Sequence, residues 1–116
     1  MTKAVFYKTD DVYTGFRLSG HAMFRLDGPD VLCAAVSGMT NLVINTITEV
    51  FKTDFAVVID GDNAVIDANV EKISMQAEYA VSGVLEGFML QLSDLKEQYP
   101  DNIEVVIQQK NITKGN

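Results

Sequence analysis

The chain has 116 residues, a length that suits one domain over residues 1–116 with its own hydrophobic core. Its 47% hydrophobic and 22% charged residues exclude an intrinsically disordered chain. Nine basic against sixteen acidic residues give a net charge of −7, which disfavours a nucleic-acid binder and favours a basic partner. We find no signal sequence and no uninterrupted apolar run near the roughly 18 residues of a membrane helix, so we expect a cytoplasmic protein without membrane contact.

The first two predicted elements are strands that form a hairpin. Residues 2–8 are rich in β-branched and aromatic side chains, and a polar turn follows at residues 9–11. Residues 12–19 alternate with a period of two. This period predicts that one face carries Val12, Thr14, Phe16 and Leu18, and the other carries Tyr13, Gly15, Arg17 and Ser19.

Residues 20–29 break the alternation, and Gly28-Pro29 excludes both a regular strand and a continuing helix. We predict a loop here. Its apolar side chains, among them Met23 and Phe24, either pack onto the core or form a wall that contacts substrate, with Gly20 and Gly28 in the same substrate loop. Gly28 would then serve as a hinge.

A helix is predicted from Val31 to Phe51, with Asp30 as its N-cap. Apolar residues recur at intervals of three and four, which predicts an amphipathic helix. Cys33 and Ser37 fall at the edge of its buried face, with Thr40 and Ile44. The predicted buried positions are Leu32, Val36, Met39, Val43, Ile47 and Val50.

The remaining chain predicts a second hairpin (54–60 and 64–70), a helix (75–99) and a last strand (103–109). Small residues at Ala80, Gly83 and Gly87 lead us to expect close packing of the second helix against the first. The element order β-β-α-β-β-α-β indicates an α+β fold: a mostly antiparallel sheet of about five strands with two helices packed on one face.

His21 and Cys33 are the only histidine and the only cysteine, and they lie twelve positions apart. Attack by cysteine needs the thiolate, which helix N-terminal amides stabilise and an imidazole generates by taking the proton. A nearby Asp30 carboxylate would oppose that charge. The two residues form a candidate dyad; the alternatives are a buried small hydrophobe for Cys33 and a turn residue for His21. A structural zinc site takes four ligands, so we predict no metal.

A family resemblance sharpens this hypothesis. The sequence GHA at residues 20–22, followed by G-x-DVLCAAVS from Gly28 to Ser37, resembles the signature of the ribosomal-processing cysteine protease (Prp) family. The preceding hairpin, the helix and the late YP-x-x-I segment from Tyr99 to Ile103 fit as well, so the resemblance covers nearly the whole chain. Three residues depart mildly from the family's pattern: Phe24, Leu32 and Pro29. Of these, Pro29 would stiffen the loop.

The resemblance implies a homodimeric cysteine endopeptidase without a cofactor. Its substrate would be the precursor of large-subunit ribosomal protein twenty-seven, from which it removes an N-terminal extension. His21 matches the family's base and Cys33 its nucleophile. Asp30 and Ser37 match motif positions with supporting roles: Asp30 as helix cap or as orienter of the imidazole, Ser37 as a donor to the oxyanion or as a serine bonded to its own backbone.

Two other functions compete with proteolysis. One is a noncatalytic ribosome-assembly adaptor that binds a basic ribosomal protein through the same cleft. The other is a redox sensor built on an exposed thiolate at Cys33, although the chain has no second cysteine to resolve an oxidised form.

Overall fold

The computed structural model describes residues 1–20, 30–75 and 77–111, and of Asp30 only the backbone. Short π-helical segments follow the first helix (Thr46–Val50) and precede the second (Ala77–Val81). When each helix is counted together with its π-helical segment, the predicted strands and helices begin and end within two residues of the observed ones. The strands are β1 (Thr2–Thr9), β2 (Val12–Ser19), β3 (Phe55–Asp60), β4 (Val65–Val70) and β5 (Ile103–Gln109), and the helices are α1 (Asp30–Asn45) and α2 (Ser82–Gln98).

The five strands form one mixed sheet in the order β3-β4-β2-β1-β5. Neighbouring strands are antiparallel except for β1 and β5, which are parallel because α2 carries the chain back along the sheet before β5 begins. Residues of both helices share one core cluster with the inward side chains of the strands. The predicted α+β fold, with a mostly antiparallel sheet, is therefore confirmed.

Three phenylalanines form the centre of the core. The Phe88 ring of α2 meets Phe6 of β1 edge-on at 5.5 Å between centroids and Phe16 of β2 at 5.3 Å. Each buried ring contributes about 1.5–3 kcal/mol through burial, and an edge-to-face pair adds about 0.5–1.5 kcal/mol. These contacts hold α2 across the two strands that lead to the predicted site.

A β-bulge corrects the predicted faces of β2. Tyr7 pairs with Gly15 and Lys8 with Tyr13, so Thr14 is the extra residue between them. The bulge reverses the alternation, and Tyr13 joins the core cluster instead of facing away from it. The Tyr13 amide donates to the Ser82 hydroxyl oxygen at 2.9 Å, which satisfies a buried backbone group near the bulge.

The π-helical end of α1 corrects a second prediction. The Phe51 amide donates to the Thr46 carbonyl at 2.9 Å, an i to i+5 bond that widens the turn and shifts the phase of later side chains. Val50, predicted to be buried, is 70% exposed. The predicted buried positions further back, Leu32, Val36, Val43 and Ile47, all lie in the core.

The segment Val31–Val50 is long and apolar enough to cross a membrane, with a mean hydropathy of 1.5. One such helix is weak evidence for a span, because a helix that packs in a protein core has the same composition. Only a third of this segment is buried in the chain. Much of this segment, whose one charged residue is Glu49, is thus exposed.

The expected close packing of the small residues in α2 is wrong. Gly83 and Gly87 are exposed, and a Cβ added at either would have no atom within 4 Å outside the local helix backbone. The same holds for Gly38 in α1. A glycine within a helix costs about 1 kcal/mol relative to alanine. No contact among the residues that the structure describes explains these three glycines.

The sheet face away from the helices carries a polar network. The Tyr7 hydroxyl donates to Asp67 Oδ2 at 3.3 Å, and Arg17 lies 3.9 Å from the same carboxylate. The Lys110 ammonium sits 4.4 Å from the centre of the Tyr7 ring. Burial raises the pKa of Tyr7, and the negative charge of Asp67 adds to the rise. This face of the sheet therefore carries charged side chains.

We expect Gly15→Ala to destabilise the fold by about 1–3 kcal/mol, because the new methyl group would overlap the Ala68 carbonyl and the Asn69 side chain on β4. Gly83→Ala is the matched control: it enters open space and should stabilise the protein by up to about 1 kcal/mol. Urea unfolding of both variants measures the difference, and equal stability would contradict the close strand approach at Gly15.

Candidate active site

Gly20, at the end of β2, is held from two sides. Its amide donates to the Ala64 carbonyl at 3.0 Å, and a Cβ on this residue would overlap the Met1 carbonyl. Its φ of +110° lies in a region that side-chain-bearing residues rarely adopt. Glycine is thus required both by conformation and by space. The next residue in the chain is His21, so these contacts fix the point from which the predicted loop starts.

A short turn positions the Ala64 carbonyl for this contact. Asp60 ends β3 and accepts hydrogen bonds from the Asn63 backbone amide at 3.2 Å and from the Asn63 side-chain amide at 2.7 Å. These hydrogen bonds lower the pKa of Asp60. Ala64 itself has a φ of +54°, which turns the chain into β4. The turn between β3 and β4 therefore supports the end of β2.

Cys33 lies in the first turn of α1, where it was predicted, although its side chain is more deeply placed than the expected edge of the helix. The residue is 8% exposed. Leu32 beside it and Val36 one turn later are buried in the core cluster, at 2% and 0% exposure. Packing of these two side chains fixes the rotation of α1 about its axis and with it the position of the thiol.

Ser37 is half-buried and lies one turn after Cys33 on α1. Both residues therefore lie along one stripe of the helix, as the 3.6-residue period requires. The backbone of Asp30 forms the first residue of α1, one position before the predicted start. A difference of one residue is ordinary at a helix end. Roles of the Asp30 side chain remain predictions.

Four of the predicted site residues lie outside the described residues: His21, Met23, Phe24 and Gly28. The pairing of His21 with Cys33 therefore stays a prediction. The described residues do contain the two ends between which the loop runs, Gly20 at the end of β2 and Asp30 at the start of α1.

The start of α1 provides chemistry that suits a thiolate and an oxyanion. The first N–H groups of a helix have no partner within the helix, and the helix dipole places partial positive charge there. Cys33 lies within this turn. A negative charge on sulfur, or on an oxygen that develops beside it, would be stabilised by these amides. Within residues 1–20, 30–75 and 77–111, no group of three His, Cys, Asp or Glu side chains is arranged to hold a metal ion.

Sequence reasoning did not find the clamp around Gly20. The contacts come from Met1 and Ala64, which are remote from residue 20 in sequence and carry only backbone groups to the contact. The GHA motif includes Gly20 but does not indicate which residues contact it. Neither Met1 nor Ala64 has a side-chain signal that would have indicated its part.

Comparison with solved structures supports the same fold. SMU.848 from Streptococcus mutans superposes with a TM-score of 0.81 at 23% identity, covering 95% of this chain and 96% of that one. A ribosomal processing protease, Prp, from S. aureus, solved with a covalently linked product peptide, has a TM-score of 0.77 at 18% identity, covering 93% of this chain and all of that one. The same S. aureus protein with a substrate peptide gives 0.77 at 17% identity, with coverage of 93% and 100%.

No curated protein matches the chain in sequence. The sequence model of one family does match, over residues 1–104, and the family is described as cysteine protease Prp. The match includes the helix turn with Cys33 and the GHA segment. It extends over most of the chain, from β1 to the start of β5. The chain therefore belongs to the Prp family of cysteine proteases.

Proposed function

We propose that this protein is a cysteine endopeptidase that removes the N-terminal extension of large-subunit ribosomal protein twenty-seven during ribosome maturation. The observation that carries the proposal is Cys33 in the first turn of α1, in a chain that belongs to a cysteine protease family. Support for a ribosomal substrate comes from the S. aureus neighbour, which is described as an essential ribosomal processing protease.

The proposed mechanism is acyl transfer. The His21 imidazole takes the proton of the Cys33 thiol, and the thiolate attacks the scissile carbonyl carbon. The tetrahedral intermediate collapses as the imidazolium gives its proton to the leaving amine, which leaves a thioester on Cys33. A water molecule, deprotonated by the imidazole, hydrolyses the thioester and restores the free thiol.

The oxyanion of both tetrahedral intermediates needs donors that are already in place. We assign this role first to the amides at the start of α1, because they point along the helix axis towards its N-terminal end. The Ser37 hydroxyl, one turn further on, is a second donor. Asp30 caps α1 or orients the His21 imidazole. Met23, Phe24 and Gly28 belong to the proposed substrate loop.

The charge of the protein supports a basic substrate. A net charge of −7 attracts a positively charged ribosomal precursor and speeds its encounter with the enzyme. We further propose that the enzyme works in the cytoplasm as a homodimer, without a cofactor and without direct contact to nucleic acid or membrane.

Two competing functions are less well supported. Oxidation of a thiol follows its exposure, and Cys33 is 8% exposed, which disfavours a redox sensor. A noncatalytic adaptor needs no cysteine, whereas the match to a cysteine protease family includes residue 33. The variant Cys33→Ala distinguishes the adaptor from the protease.

Cys33→Ala should lower the rate of precursor cleavage by roughly 10⁴-fold or more, because the nucleophile is lost. Mass spectrometry of the unprocessed ribosomal precursor, incubated with wild-type enzyme or variant, measures the effect. Thr48→Ala, at the far end of the same helical stretch, is the control and should cleave normally. If Cys33→Ala keeps full activity in the cell, the adaptor replaces the protease. An intact precursor with folded wild-type enzyme rejects this substrate.

Asp30→Asn tests the two roles of Asp30. Asparagine caps a helix nearly as well as aspartate, so the melting temperature should stay unchanged under either role. We favour the cap and expect cleavage to remain within a few-fold of wild type. Strongly reduced cleavage with unchanged melting would exclude a role as cap alone and support an orienting carboxylate.

Gly20→Ala should lower both stability and activity. The alanine methyl group would overlap the Met1 carbonyl, and φ of +110° is unfavourable for alanine, so we expect a loss of about 1–3 kcal/mol. Cleavage should fall further than the loss of folded protein explains, because residue 21 follows directly. Urea unfolding and cleavage rates below the transition provide both values. Cleavage that falls only with the folded fraction would remove Gly20 from the positioning of the base.

A further inference from the structure

β3 is the first strand in the order of the sheet, so one of its edges has no partner strand among the residues that the structure describes. Proteins usually protect such an edge with lysine, proline, a bulge or a very short strand. The six residues Phe55–Asp60 contain neither lysine nor proline, and their pairing with β4 is continuous, without a bulge. The outer edge of β3 is therefore open to pairing with another strand.

Apolar side chains are exposed on both faces of this edge. Val58 pairs opposite Asp67 on the open face of the sheet, and it is 64% exposed. Ile59 pairs opposite the buried Ile66, so it lies on the helix face, and it is 63% exposed. The side chains of an added strand would alternate between the same two faces. An extended polypeptide would thus cover both apolar side chains at once, whereas a helix laid on one face would cover only one.

The edge of β3 ends at the same end of the sheet as the candidate active site. Asp60 pairs opposite Val65, and Val65 pairs opposite Ser19, the residue before Gly20. The predicted loop with His21 starts at this end. Neighbouring strands lie about 4.8 Å apart, so a strand added to β3 would lie about 14 Å from β2. An extended chain spans about 3.3 Å per residue, so about four substrate residues are needed to cross that distance.

A hollow of about 450 Å³ lies beside this edge on the open face of the sheet. Val58 and Val65 are its apolar lining, and Asp60 and Asp67 contribute two carboxylates. Arg17 also lines the hollow and lies 3.9 Å from Asp67, whereas no cation of the described residues forms an ion pair with Asp60. A lysine or arginine side chain fits this hollow, with its methylene groups on the valines and its charge near Asp60.

Charge favours a basic occupant of the edge. Residues 53–71 contain neither lysine nor arginine but five carboxylates. They are Asp54, Asp60, Asp62, Asp67 and Glu71. A positively charged segment is attracted to this hairpin, and a second copy of the chain would bring its own carboxylates to the contact. The other edge strand, β5, is a poorer candidate, because its exposed residues 107–109 lie at the end remote from Gly20.

We propose that an extended, positively charged segment of the protein substrate pairs with the outer edge of β3 as an additional strand, with a basic side chain in the hollow at Val58 and Asp60. The inference rests on the proposed function in taking a basic precursor as the substrate. It locates a docking site apart from the residues that perform the cleavage. Docking should therefore act on KM and leave the chemical step unchanged.

Ile59→Lys tests the docking site, because a lysine on the edge repels a basic segment and disfavours strand pairing. With the unprocessed precursor we expect KM to rise by about 10-fold or more, while kcat stays within about two-fold. Leu90→Lys is the matched control. It makes the same change of charge at a side chain that is 53% exposed on α2, which packs across β1 and β2, and both constants should stay unchanged. Circular dichroism verifies the folding of each variant.

A short substrate distinguishes docking from damage to the active site. A six-residue peptide with three residues on each side of the scissile bond spans about 10 Å per side, which is less than the distance to the edge of β3. Wild type and Ile59→Lys should therefore cleave this peptide equally well. An equal loss with the peptide and with the precursor would show that the variant harms the active site and would overturn the proposal.

Hydrogen exchange measures docking without cleavage. The probe is a ten-residue peptide, capped at both ends, in which lysine alternates with valine. When it is added to the Cys33→Ala protein, it should slow the exchange of amides in Phe55–Asp60, because amides on the open edge gain hydrogen-bond partners. A matched peptide with glutamate in place of lysine should leave their exchange unchanged.

Three further results would each overturn the proposal. One is an unchanged KM for the precursor in Ile59→Lys, and another is equal protection of β3 by both peptides or by neither. The third is slow exchange in β3 that appears at high protein concentration without any peptide, which would assign the edge to a second copy of the chain. If the precursor is not cleaved at all, the proposed function fails, and the two peptides alone still decide whether β3 is a docking site.

Discussion

The edge-on packing of Phe88 against Phe6 and Phe16 is the interaction on which the rest of the fold depends. It joins α2 to the two central strands, and Phe55 of β3 extends the cluster through Phe16 at 6.2 Å. Leu32 and Val36 of α1 and Ile47 of the π-helical segment pack in the same core cluster as these rings. The rotation of α1 follows from this packing. The position of Cys33 is therefore set by aromatic packing in which it takes no part.

Periodicity in the sequence was enough to predict the elements, because burial of one face imposes a period of two on strands and 3.6 on helices. It also located Cys33 in the first turn of a helix. It failed where local geometry departs from the ideal period: the bulge at Thr14 turned Tyr13 inward, and the π-helical turn left Val50 exposed. The contacts around Gly20 come from the backbone of Met1 and Ala64, and no side-chain pattern in the sequence indicates them. Gly83 and Gly87 were misread because exposure of a helix face is set by its neighbours.

The open face of the sheet and the helix layer differ in the charged groups that they carry. The open face of the sheet carries three charged residues around Tyr7, where water can solvate them. They are Arg17, Asp67 and Lys110. The helix layer contains a stretch without charged residues, from Val31 to Thr48.

The parallel pairing of β1 with β5 has a consequence for synthesis on the ribosome. β1 is synthesised before β5, yet one of the two edges of β1 pairs with β5, since Thr2 lies opposite Ile103 and Lys8 opposite Gln109. Until β5 emerges, the nascent chain can assemble only the antiparallel part of the sheet, and the unpaired edge of β1 stays open to other strands. The complete sheet can therefore form only after β5 has been synthesised. The rate of chain elongation therefore limits how early the five-stranded sheet can be completed.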